Sequence, residues 1–350
     1  MLDLTDYGYH PVGEPEGEYI PARITAVHRE RYVLVCGQGH TYGRLKSRVY
    51  YGPEPEEFPT AGDFVLLQYI EQGDSVIVKT LPRRSVFLRR DPDPGRGEQA
   101  VAANFDVCFI LTSLNNDFRT ARLERYLTLA WQSGAVPVIL LTKADLVEDF
   151  APQLQAAQDC AVGVEVISLS AVTGFGLERL APYLRPSKTA VFLGSSGVGK
   201  SSLLNALMGE ETMAVKAIRE DDSRGRHTTT HRQLFMLPSG AMVIDTPGMR
   251  ELGMWDVSTG LGSTFADVED ILARPCRFSD CKHQSEPGCA MKAAIAGGEL
   301  SAERWQSYLA LKREARWSDD PTGALREKWA RNKAIAQWSK QQKKSGEIRK

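Results

Sequence analysis

The sequence predicts a multidomain α/β protein in which a small β-barrel is followed by a doubly wound parallel sheet and then by a helical region. Up to about residue 82, apolar and polar residues alternate in short segments, whereas later apolar runs are continuous and separated by helical patterns. After about Trp255 no further good strand candidates occur. A chain of 350 residues, 42% of them hydrophobic, is long enough to pack several domains.

Charge and hydropathy narrow the classes of protein to which the chain can belong. Its 43 Lys and Arg residues balance 44 Asp and Glu residues, so the net charge of -1 gives no overall attraction to nucleic acid or membrane. The longest uncharged apolar stretches, such as residues 135–141, are far shorter than the roughly 20 residues that span a bilayer. Residues 1–20 form an acidic segment without Lys or Arg, unlike an export signal. We therefore expect a cytoplasmic protein with no membrane association.

Residues 21–82 are predicted to form a small all-β domain. Gly- and Pro-containing breaks separate five short alternating segments, at residues 22–27, 32–36, 41–45, 63–69 and 75–80. This spacing favours a barrel of the OB type, although an SH3-like barrel gives a similar pattern. Residues 83–96 contain five arginines against two aspartates, and we interpret them as a mobile basic linker.

Five continuous apolar runs predict buried parallel strands within residues 83–254. They occupy residues 105–112, 136–142, 164–169, 190–194 and 242–245. Helical patterns lie between them, notably at residues 119–133 and at residues 201–208, the second closed by Gly209. Repetition of strand, helix and strand predicts a doubly wound α/β sheet.

One of these strands leads into a phosphate-binding motif. Residues 194–201 match the pattern GxxxxGK[ST] between an apolar run and a helix, which is the context that the motif requires. Glycines let backbone N–H groups turn toward phosphate oxygens, Lys200 reaches the outer phosphates, and the Ser201 hydroxyl can ligate Mg²⁺. The predicted nucleotide-binding residues here are Gly194, Ser195, Ser196, Gly197, Val198, Gly199, Lys200, Ser201 and Ser202.

Two earlier strands end in candidate base-recognition residues. Thr142, Lys143, Ala144 and Asp145 resemble the [NT]KxD element by which GTPases select guanine. Asp145 would accept two hydrogen bonds from the guanine edge and Lys143 would pack over the ring, whereas adenine would leave buried polar groups unpaired. Ser170 and Ala171 follow the next strand and resemble the loop whose backbone contacts the guanine oxygen.

Two further loops carry candidate switch residues. The sequence 245–248 matches DxxG, in which Asp245 holds Mg²⁺ through water and the Gly248 N–H contacts the γ-phosphate. The glycine-started loop 225–231 supplies threonine hydroxyls for Mg²⁺, with Thr229 as the candidate and its neighbouring threonines left open.

Met249 follows DxxG, where many GTPases place a water-orienting Gln. Because Met cannot orient water, we expect a low intrinsic rate and a water positioned by His227, by His231 or by a group from a bound partner. Thr229 completes this candidate catalytic set.

The order of the motifs indicates a circular permutation. The base-recognition motifs at 142–145 and 170–171 precede the phosphate loop and both switches, whereas ordinary GTPases have the reverse order. A nucleotide site is assembled from loops at the carboxyl ends of parallel strands, so strand adjacency matters while chain order need not. The sequence therefore predicts a circularly permuted P-loop GTPase domain.

A compact cluster of Cys and His follows in the helical region, predicted at residues 255–330. Cys276, Cys281, His283 and Cys289 supply three thiolates and one imidazole from a short loop. Such a ligand set fits a closed, tetrahedral structural Zn²⁺ site rather than a disulfide.

With these motifs in place, the chain resembles the circularly permuted, small-ribosomal-subunit-dependent GTPases of bacteria. The resemblance covers nearly the whole chain, from the barrel through TKAD, GSSGVGKSSL, GRHTTTH and DTPG to the zinc loop. It implies an N-terminal OB-fold, a zinc-bearing helical domain, and GTP hydrolysis to GDP stimulated by the small ribosomal subunit during its late maturation, with hydrolysis coupled to release. The implied partners are that subunit and its rRNA.

RNA contact would have to come from local patches. The segment from Thr322 to Lys350 contains nine Lys or Arg residues and two Glu residues. A basic tail that can contact phosphates is predicted at residues 331–350. Tyr42, Tyr50 and Tyr51 offer rings on which unpaired bases can stack, unless they belong to the barrel core. The rival interpretation is a nucleotide-gated RNA-binding module in which hydrolysis is incidental. The chain has no coiled-coil repeat, and we expect a monomer.

Overall fold

The computed structural model describes residues 2–11, 18–28, 31–52, 57–90, 98–115, 118–209, 232–245, 257–284 and 286–319. The structural statements below concern these residues. Backbone contacts divide the chain into two compact units, one ending at residue 252 and the other beginning at residue 253. The candidate switch residues His227, Thr229, His231 and Gly248, together with Met249 and the basic tail, lie outside the described residues.

The first unit begins with a closed five-stranded barrel, as an OB-type fold requires. Its strands are β1 (Ile20–His28), β2 (Arg31–Cys36), β3 (Gly39–Leu45), β4 (Phe64–Gln68) and β5 (Ser75–Thr80), with the short helix α1 (Ser47–Tyr50) after β3. They join in the order β1-β2-β3-β5-β4-β1, and only the β3–β5 pairing is parallel. Inward-facing residues such as Ile24, Leu34 and Ile77 are fully buried and form the barrel core.

The basic segment after the barrel contains a β-strand at residues 86–90, so its interpretation as a mobile linker was wrong there, while residues 91–96 lie outside the described residues. β6 (Val86–Arg90) pairs antiparallel with β7 (Glu98–Ala103). Phe87 is buried and stacks on Phe105, which anchors the hairpin to the following domain. Arg83 is an ion-pair partner of the fully buried Asp63 carboxylate rather than a linker cation. The linker interpretation rested on the number of charged residues, which shows neither that Phe87 is buried nor that Arg83 is paired.

A predominantly parallel sheet follows the hairpin. Its strands are β8 (Val107–Ser113), β9 (Val136–Thr142), β10 (Glu165–Ser168), β11 (Thr189–Gly194), β12 (Arg232–Met236) and β13 (Met242–Asp245). Their spatial order is β10-β9-β8-β11-β13-β12, and only β12 pairs antiparallel. All five predicted strands are present within a few residues of their expected positions, while β12 was not predicted.

Three helices cover this sheet, which confirms the α/β prediction. α4 (Lys200–Met208) contributes Leu203 and Leu204 to a core shared with Phe109, Leu140 and Phe192 of the sheet. α2 (Thr120–Gln132) contacts β8 and β9, and α3 (Ala151–Cys160) contacts β10.

The barrel and the α/β domain share one continuous sheet. β1 pairs antiparallel with β12, with Ala26 opposite Gln233 and Val27 opposite Arg232. We call this β1–β12 junction the seam. Arg23 of β1 has a fully buried guanidinium group, which donates hydrogen bonds to the carbonyl oxygens of Tyr7, Gly62 and Asn104. Burial, together with the charge of Arg84, lowers the pKa of Arg23 to about 9. Tyr7 belongs to a short 3-10 helix (Leu4–Tyr7), so part of the acidic N-terminal segment packs against the seam.

The second unit is helical over its described residues, as predicted. It contains α5 (Ser258–Thr264), α6 (Ala266–Leu272), α7 (Ala290–Ala296) and α8 (Ala302–Asp319). Its core includes an aromatic cluster, in which Tyr308 packs edge-to-face on Phe265 and stacks on Trp305. Among the described helices of the whole chain, none combines the length and apolarity that a membrane crossing needs.

Candidate nucleotide-binding site and Cys/His cluster

The predicted phosphate loop connects the end of β11 to the start of α4. Gly197 and Gly199 have φ angles of 78° and 108°, in the left-handed region that favours glycine. Gly194 packs so closely that a Cβ atom there would lie 2.6 Å from the carbonyl oxygen of Leu111. Val198 is buried in the domain core, whereas Ser196 and Gly197 are exposed. The loop is therefore anchored at one residue and open to solvent at its tip.

Lys200 closes back over this loop from the first turn of α4. Its Nζ donates hydrogen bonds to the carbonyl oxygens of Gly194 at 2.8 Å and Ser195 at 2.7 Å. This geometry holds the ammonium group above the loop amides, where it can meet anionic oxygens. Ser201 is exposed on the same turn, and Ser202 is half-buried behind it.

The two predicted base-recognition loops lie side by side because β9 and β10 are adjacent parallel strands. The Ser170 hydroxyl donates a hydrogen bond of 2.5 Å to Asp145 Oδ1 and accepts bonds from the N–H groups of Val172 and Thr173. The Ala144 N–H donates to the carbonyl oxygen of Leu169. The exposed Asp145 carboxylate is thus held in a fixed orientation by a hydroxyl that is itself fixed.

Thr142 links the base loop to the phosphate loop. It is 3% exposed, and its hydroxyl donates a hydrogen bond of 2.6 Å to the carbonyl oxygen of Val198. Lys143 follows it with φ of 61°, a left-handed conformation that turns the chain sharply at the strand end. The Thr142 side chain therefore contacts the phosphate loop, although the sequence placed it among the nucleotide-binding residues.

Asp245 ends β13 at the same edge of the sheet. β13 pairs parallel with β11, with Val191 opposite Ile244, so Asp245 and the phosphate loop leave the sheet next to each other. The carboxyl ends of β9, β10, β11 and β13 consequently meet at one edge, which is where open α/β sheets bind ligands. The loops after β9 and β10 precede the phosphate loop in the sequence. All of these loops nevertheless leave the same edge of the sheet.

The four Cys and His ligand atoms converge in the second unit. All of them lie within 4.8 Å of one another. His283 Nδ1 is 3.6 Å from Cys276 Sγ, 3.8 Å from Cys281 Sγ and 3.5 Å from Cys289 Sγ. His283 and Gly288 adopt φ angles of 59° and 72°, which bend the loop around the cluster. A single tetrahedral ion can be reached by all four atoms, so the donor set fits a metal.

Of the cluster thiols, Cys289 is the one whose surroundings favour the thiolate form. At Cys281 the His283 N–H acts to lower the pKa, but desolvation and the neighbouring thiols Cys276 and Cys289 raise it to about 11. Burial acts to raise the pKa of Cys289, but the Lys292 N–H and His283 outweigh it and lower the pKa to about 7. The Ala290 N–H donates to Cys276 Sγ, and the His283 N–H donates to Cys281 Sγ. Sulfurs that accept backbone hydrogen bonds are thereby oriented before any ion binds.

Comparison with known proteins places these features in a family. The family model for RsgA GTPases matches residues 80–255. A "Small ribosomal subunit biogenesis GTPase RsgA 2" from Lactiplantibacillus plantarum is 48% identical over 85% of this chain and 84% of its own length. A protein with the same description from Listeria monocytogenes is 47% identical over 83% and 82%, respectively. The chain belongs to the RsgA GTPase family.

Solved structures agree with this assignment. The crystal structure of YjeQ from Thermotoga maritima has a TM-score of 0.60 and 26% identity, covering 84% of this chain and 97% of that one. The structure of YloQ, described as a circularly permuted GTPase, has a TM-score of 0.59 at 24% identity and supports the fold. As a member of the RsgA GTPase family, the chain is an enzyme that hydrolyses GTP, with a circularly permuted nucleotide-binding domain.

Two contacts in this RsgA GTPase site were not foreseen from the sequence. The Thr142 hydroxyl binds the phosphate loop, and the Ser170 hydroxyl binds Asp145, although the motifs assign contacts with nucleotide to both residues. Each contact joins residues more than twenty positions apart, so only the strand order reveals it. The sequence feature that could have indicated these two hydrogen bonds is the presence of a hydroxyl residue at or just after the end of each of two adjacent strands.

Proposed function

We propose that this GTPase binds the small ribosomal subunit and its rRNA, hydrolyses GTP to GDP and phosphate during late maturation of that subunit, and couples hydrolysis to its own release. The observation that carries the enzymatic part is the Thr142–Val198 hydrogen bond, which joins a complete base loop to a complete phosphate loop. The names of the relatives support the ribosomal partner. Such a partner implies a cytoplasmic protein, and we expect a monomer that does not bind membranes.

The nucleotide would be held at both ends of the site. Loop amides from Gly194 to Ser202 and the Lys200 ammonium group bind phosphates, while Asp145 pairs with the guanine edge between Lys143 and the Ser170–Ala171 backbone. Mg²⁺ bound with GTP neutralises charge on the phosphate oxygens, and Ser201, Thr229 and Asp245 are the residues that would hold it.

Hydrolysis needs a water molecule aligned with the γ-phosphate, and Gly248 would contact that phosphate through its N–H. Since Met249 cannot orient water, His227, His231 or a group of the bound subunit performs this role, with Thr229 fixing the closed switch. Replacement of both histidines by Ala is expected to abolish stimulated turnover. Unchanged stimulation would instead assign the role to the partner.

The domains would divide the remaining work. The barrel at residues 21–82 and the basic tail at residues 331–350 contact the ribosomal RNA, and the permuted domain at residues 83–254 hydrolyses GTP. The helical domain at residues 255–330 takes one structural Zn²⁺, because three thiolates and one imidazole with no carboxylate fit this ion. Metal analysis of the purified chain is expected to give about one zinc per chain.

Turnover of GTP and of ATP, measured with and without purified small ribosomal subunits at two salt concentrations, tests the proposal. We expect GTP-selective turnover that rises strongly with the subunit. Because phosphate contacts release counterions, that stimulation should weaken at the higher salt concentration. Subunit binding that depends on the nucleotide but never stimulates hydrolysis would favour a nucleotide-gated binding module.

A further inference from the structure

Strand β12 lies between the barrel and the strand that ends in Asp245. Gln233 of β12 is opposite Ala26 of β1 on one side and opposite Asp245 of β13 on the other. Neighbouring strands are about 4.8 Å apart, so two strand spacings, or about 10 Å, separate Ala26 from Asp245. Asp245 is one of the residues proposed above to hold Mg²⁺ with GTP. A displacement of β12 would therefore reach the nucleotide site over a short distance.

The side chain of Arg232, the first residue of β12, reinforces the seam. Within the described residues, β1 and β12 share two residue pairs, which is a short contact for two strands. Arg232 Nη1 donates hydrogen bonds to the carbonyl oxygen of Ala100 in β7 at 3.0 Å and to the Thr60 hydroxyl at 3.4 Å. One guanidinium group thus connects β12 with the β6–β7 hairpin and with the barrel loop that precedes β4.

That barrel loop is itself held firmly in place. Thr60 is buried, and its hydroxyl donates a hydrogen bond of 3.1 Å to the carbonyl oxygen of Val101 in β7. Gly62 follows with φ of 92°, and a Cβ atom there would clash with the carbonyl oxygen of Ala103 and lie 2.8 Å from Ile244 Cδ1 of β13. The loop at residues 60–62 therefore packs directly on both the hairpin and β13.

The guanidinium group of Arg232 stays charged in this half-buried position. Burial, together with the charge of Arg89, lowers the pKa of Arg232 to about 10, which is still well above neutral pH. A partly buried charge that loses its hydrogen bonds is costly, because its desolvation is then uncompensated. Separation of β12 from the barrel loop or from the hairpin is consequently disfavoured, and the three elements should move together.

We propose that Arg232 is a positioning residue that couples the barrel to the nucleotide site, so that a partner bound on the barrel acts on Asp245 through β12 and raises GTP turnover. The affinity for that partner must then depend on the nucleotide, since coupling between two binding sites is reciprocal. The proposal rests on the proposed function, because it names the path by which the ribosomal partner would stimulate hydrolysis.

A purely structural arginine would give a different pattern of losses. β13 also pairs with β11, so the nucleotide site keeps this support when the contacts of Arg232 are removed. Loss of coupling should therefore lower stimulated turnover and leave basal turnover unchanged. Loss of stability alone would lower basal and stimulated turnover in proportion. The ratio of the two rates, and not either rate alone, is the informative quantity.

GTP turnover of the full chain, measured with and without purified small ribosomal subunits, gives this ratio. Arg232→Met removes the donors and should lower the ratio roughly 10-fold, because coupling between two sites typically corresponds to 5–150-fold. Arg232→Lys keeps one cationic donor and should retain part of the stimulation. Arg179→Met is the matched control, since the Arg179 guanidinium also donates to a strand carbonyl oxygen, that of Val166, but at the opposite edge of the sheet. Equal ratios in Arg232→Met and Arg179→Met would overturn the proposal.

Thr60→Val tests the same contact from the barrel side, with less risk to folding. The substitution removes the weaker of the two acceptors of Arg232 and should lower the ratio about threefold, in line with a modest hydrogen bond. Combined with Arg232→Met, it should cause no further loss, because both changes act on one contact. Losses that multiply in the double variant would mean that the two residues act independently, which would contradict the proposed path.

Hydrogen exchange of the backbone amides, followed by mass spectrometry of the full chain without any partner, examines the path in the reverse direction. Exchange of β1, residues 20–28, should differ between the chain bound to GDP and the chain bound to a non-hydrolysable GTP analogue. Arg232→Met should remove most of that difference, and Arg179→Met should keep it. Identical exchange of β1 with both nucleotides in the unaltered chain would overturn the coupling.

The two experiments fail in distinguishable ways. A chain without GTP turnover, or one that the subunit never stimulates, would refute the proposed function, while the response of β1 to the nucleotide would still support the path through β12. Full stimulation in Arg232→Met would refute the coupling and leave the proposed function intact.

Discussion

The nucleotide site draws its residues from positions 142 to 245, whereas the Cys/His cluster takes its four ligands from positions 276 to 289. In the first region the order of strands brings distant loops together, and a hydrogen bond between Thr142 and Val198 connects them. In the second region a short loop brings its donors together within 4.8 Å. The first site rests on a large hydrophobic core, and the second is a short loop whose four donors could hold a metal ion.

The difference has an energetic consequence. A site built on a core persists when one contact is lost, because the sheet and helices remain packed. A loop held by metal loses most of its organisation with the ion, since metal binding and folding are then coupled.

Metal removal is expected to give the largest effect. Structural zinc contributes on the order of 10 kcal/mol in small domains, which is comparable with the whole stability of many domains. Chelation, or Cys281→Ser, should therefore unfold helices of the second unit and reduce the circular dichroism signal at 222 nm. Binding of a fluorescent GDP analogue by the first unit should persist.

The control for this experiment is Cys160→Ser. Cys160 is a buried cysteine of α3, outside the cluster, and its Sγ donates to the carbonyl oxygen of Ala157. This variant should keep its metal content. Equal loss of metal from both variants, or full helicity after complete chelation, would contradict a metal-dependent fold.

Lys200→Ala should produce the next largest effect, confined to the nucleotide site. Removal of one preorganised donor to a developing charge typically costs 10² to 10³ in rate, so kcat/KM for GTP should fall by about 100-fold or more. The metal content should not change. Lys188→Ala is the matched control. Lys188 directly precedes the first residue of β11, at the end of the strand opposite the phosphate loop, and it pairs with Asp106 at 2.9 Å. Comparable losses in both variants would refute a specific role for Lys200.

Contiguous motifs made much of both sites predictable from the sequence. The residues 194–201 and the four Cys and His ligands stand in short patterns whose spacing reflects local geometry, and the structure brings each set together. The strands were predictable because buried parallel strands are continuous apolar runs. Chain order then revealed the permutation, since it depends only on motif positions.

Long-range contacts were not predictable in this way. Alternation in β1 places Arg23 on the outside of the barrel, yet the α/β domain covers that face and buries the guanidinium completely. The hairpin β6–β7 was missed because its arginines dominate the composition, while Phe87 determines the packing. Strand β12 was missed because its burial depends on two neighbours, β1 and β13, that are distant in sequence.

Thr142→Val tests the connection between the two loops. The substitution keeps the shape of the side chain but leaves the Val198 carbonyl oxygen without its 2.6 Å donor. An unsatisfied buried group costs about 1–3 kcal/mol, so affinity for GDP should fall by roughly 10-fold. The measurement is titration with a fluorescent GDP analogue.

Thr128→Val provides the comparison. Thr128 is also a fully buried threonine, and its hydroxyl donates to the carbonyl oxygen of Glu124 within α2. Both variants should lose similar thermal stability, but only Thr142→Val should lose nucleotide affinity. If both retained full affinity, the connection between the loops would have no role in binding.

Ser170→Ala should give the smallest effect and the most selective one. The substitution removes the donor to Asp145 Oδ1, and one hydrogen bond to a charged group contributes about 1.5–3 kcal/mol where it is protected from solvent. Asp145 is exposed, so the expected loss is smaller, about threefold to tenfold in GTP affinity. Because we propose that Asp145 contacts the guanine base and not the phosphates, we expect the preference for GTP over ATP to fall while turnover of saturating GTP changes little. Competition between GTP and ATP for the fluorescent GDP analogue measures this ratio. A drop in turnover at an unchanged ratio would mean that Ser170 acts on the phosphate end of the site instead.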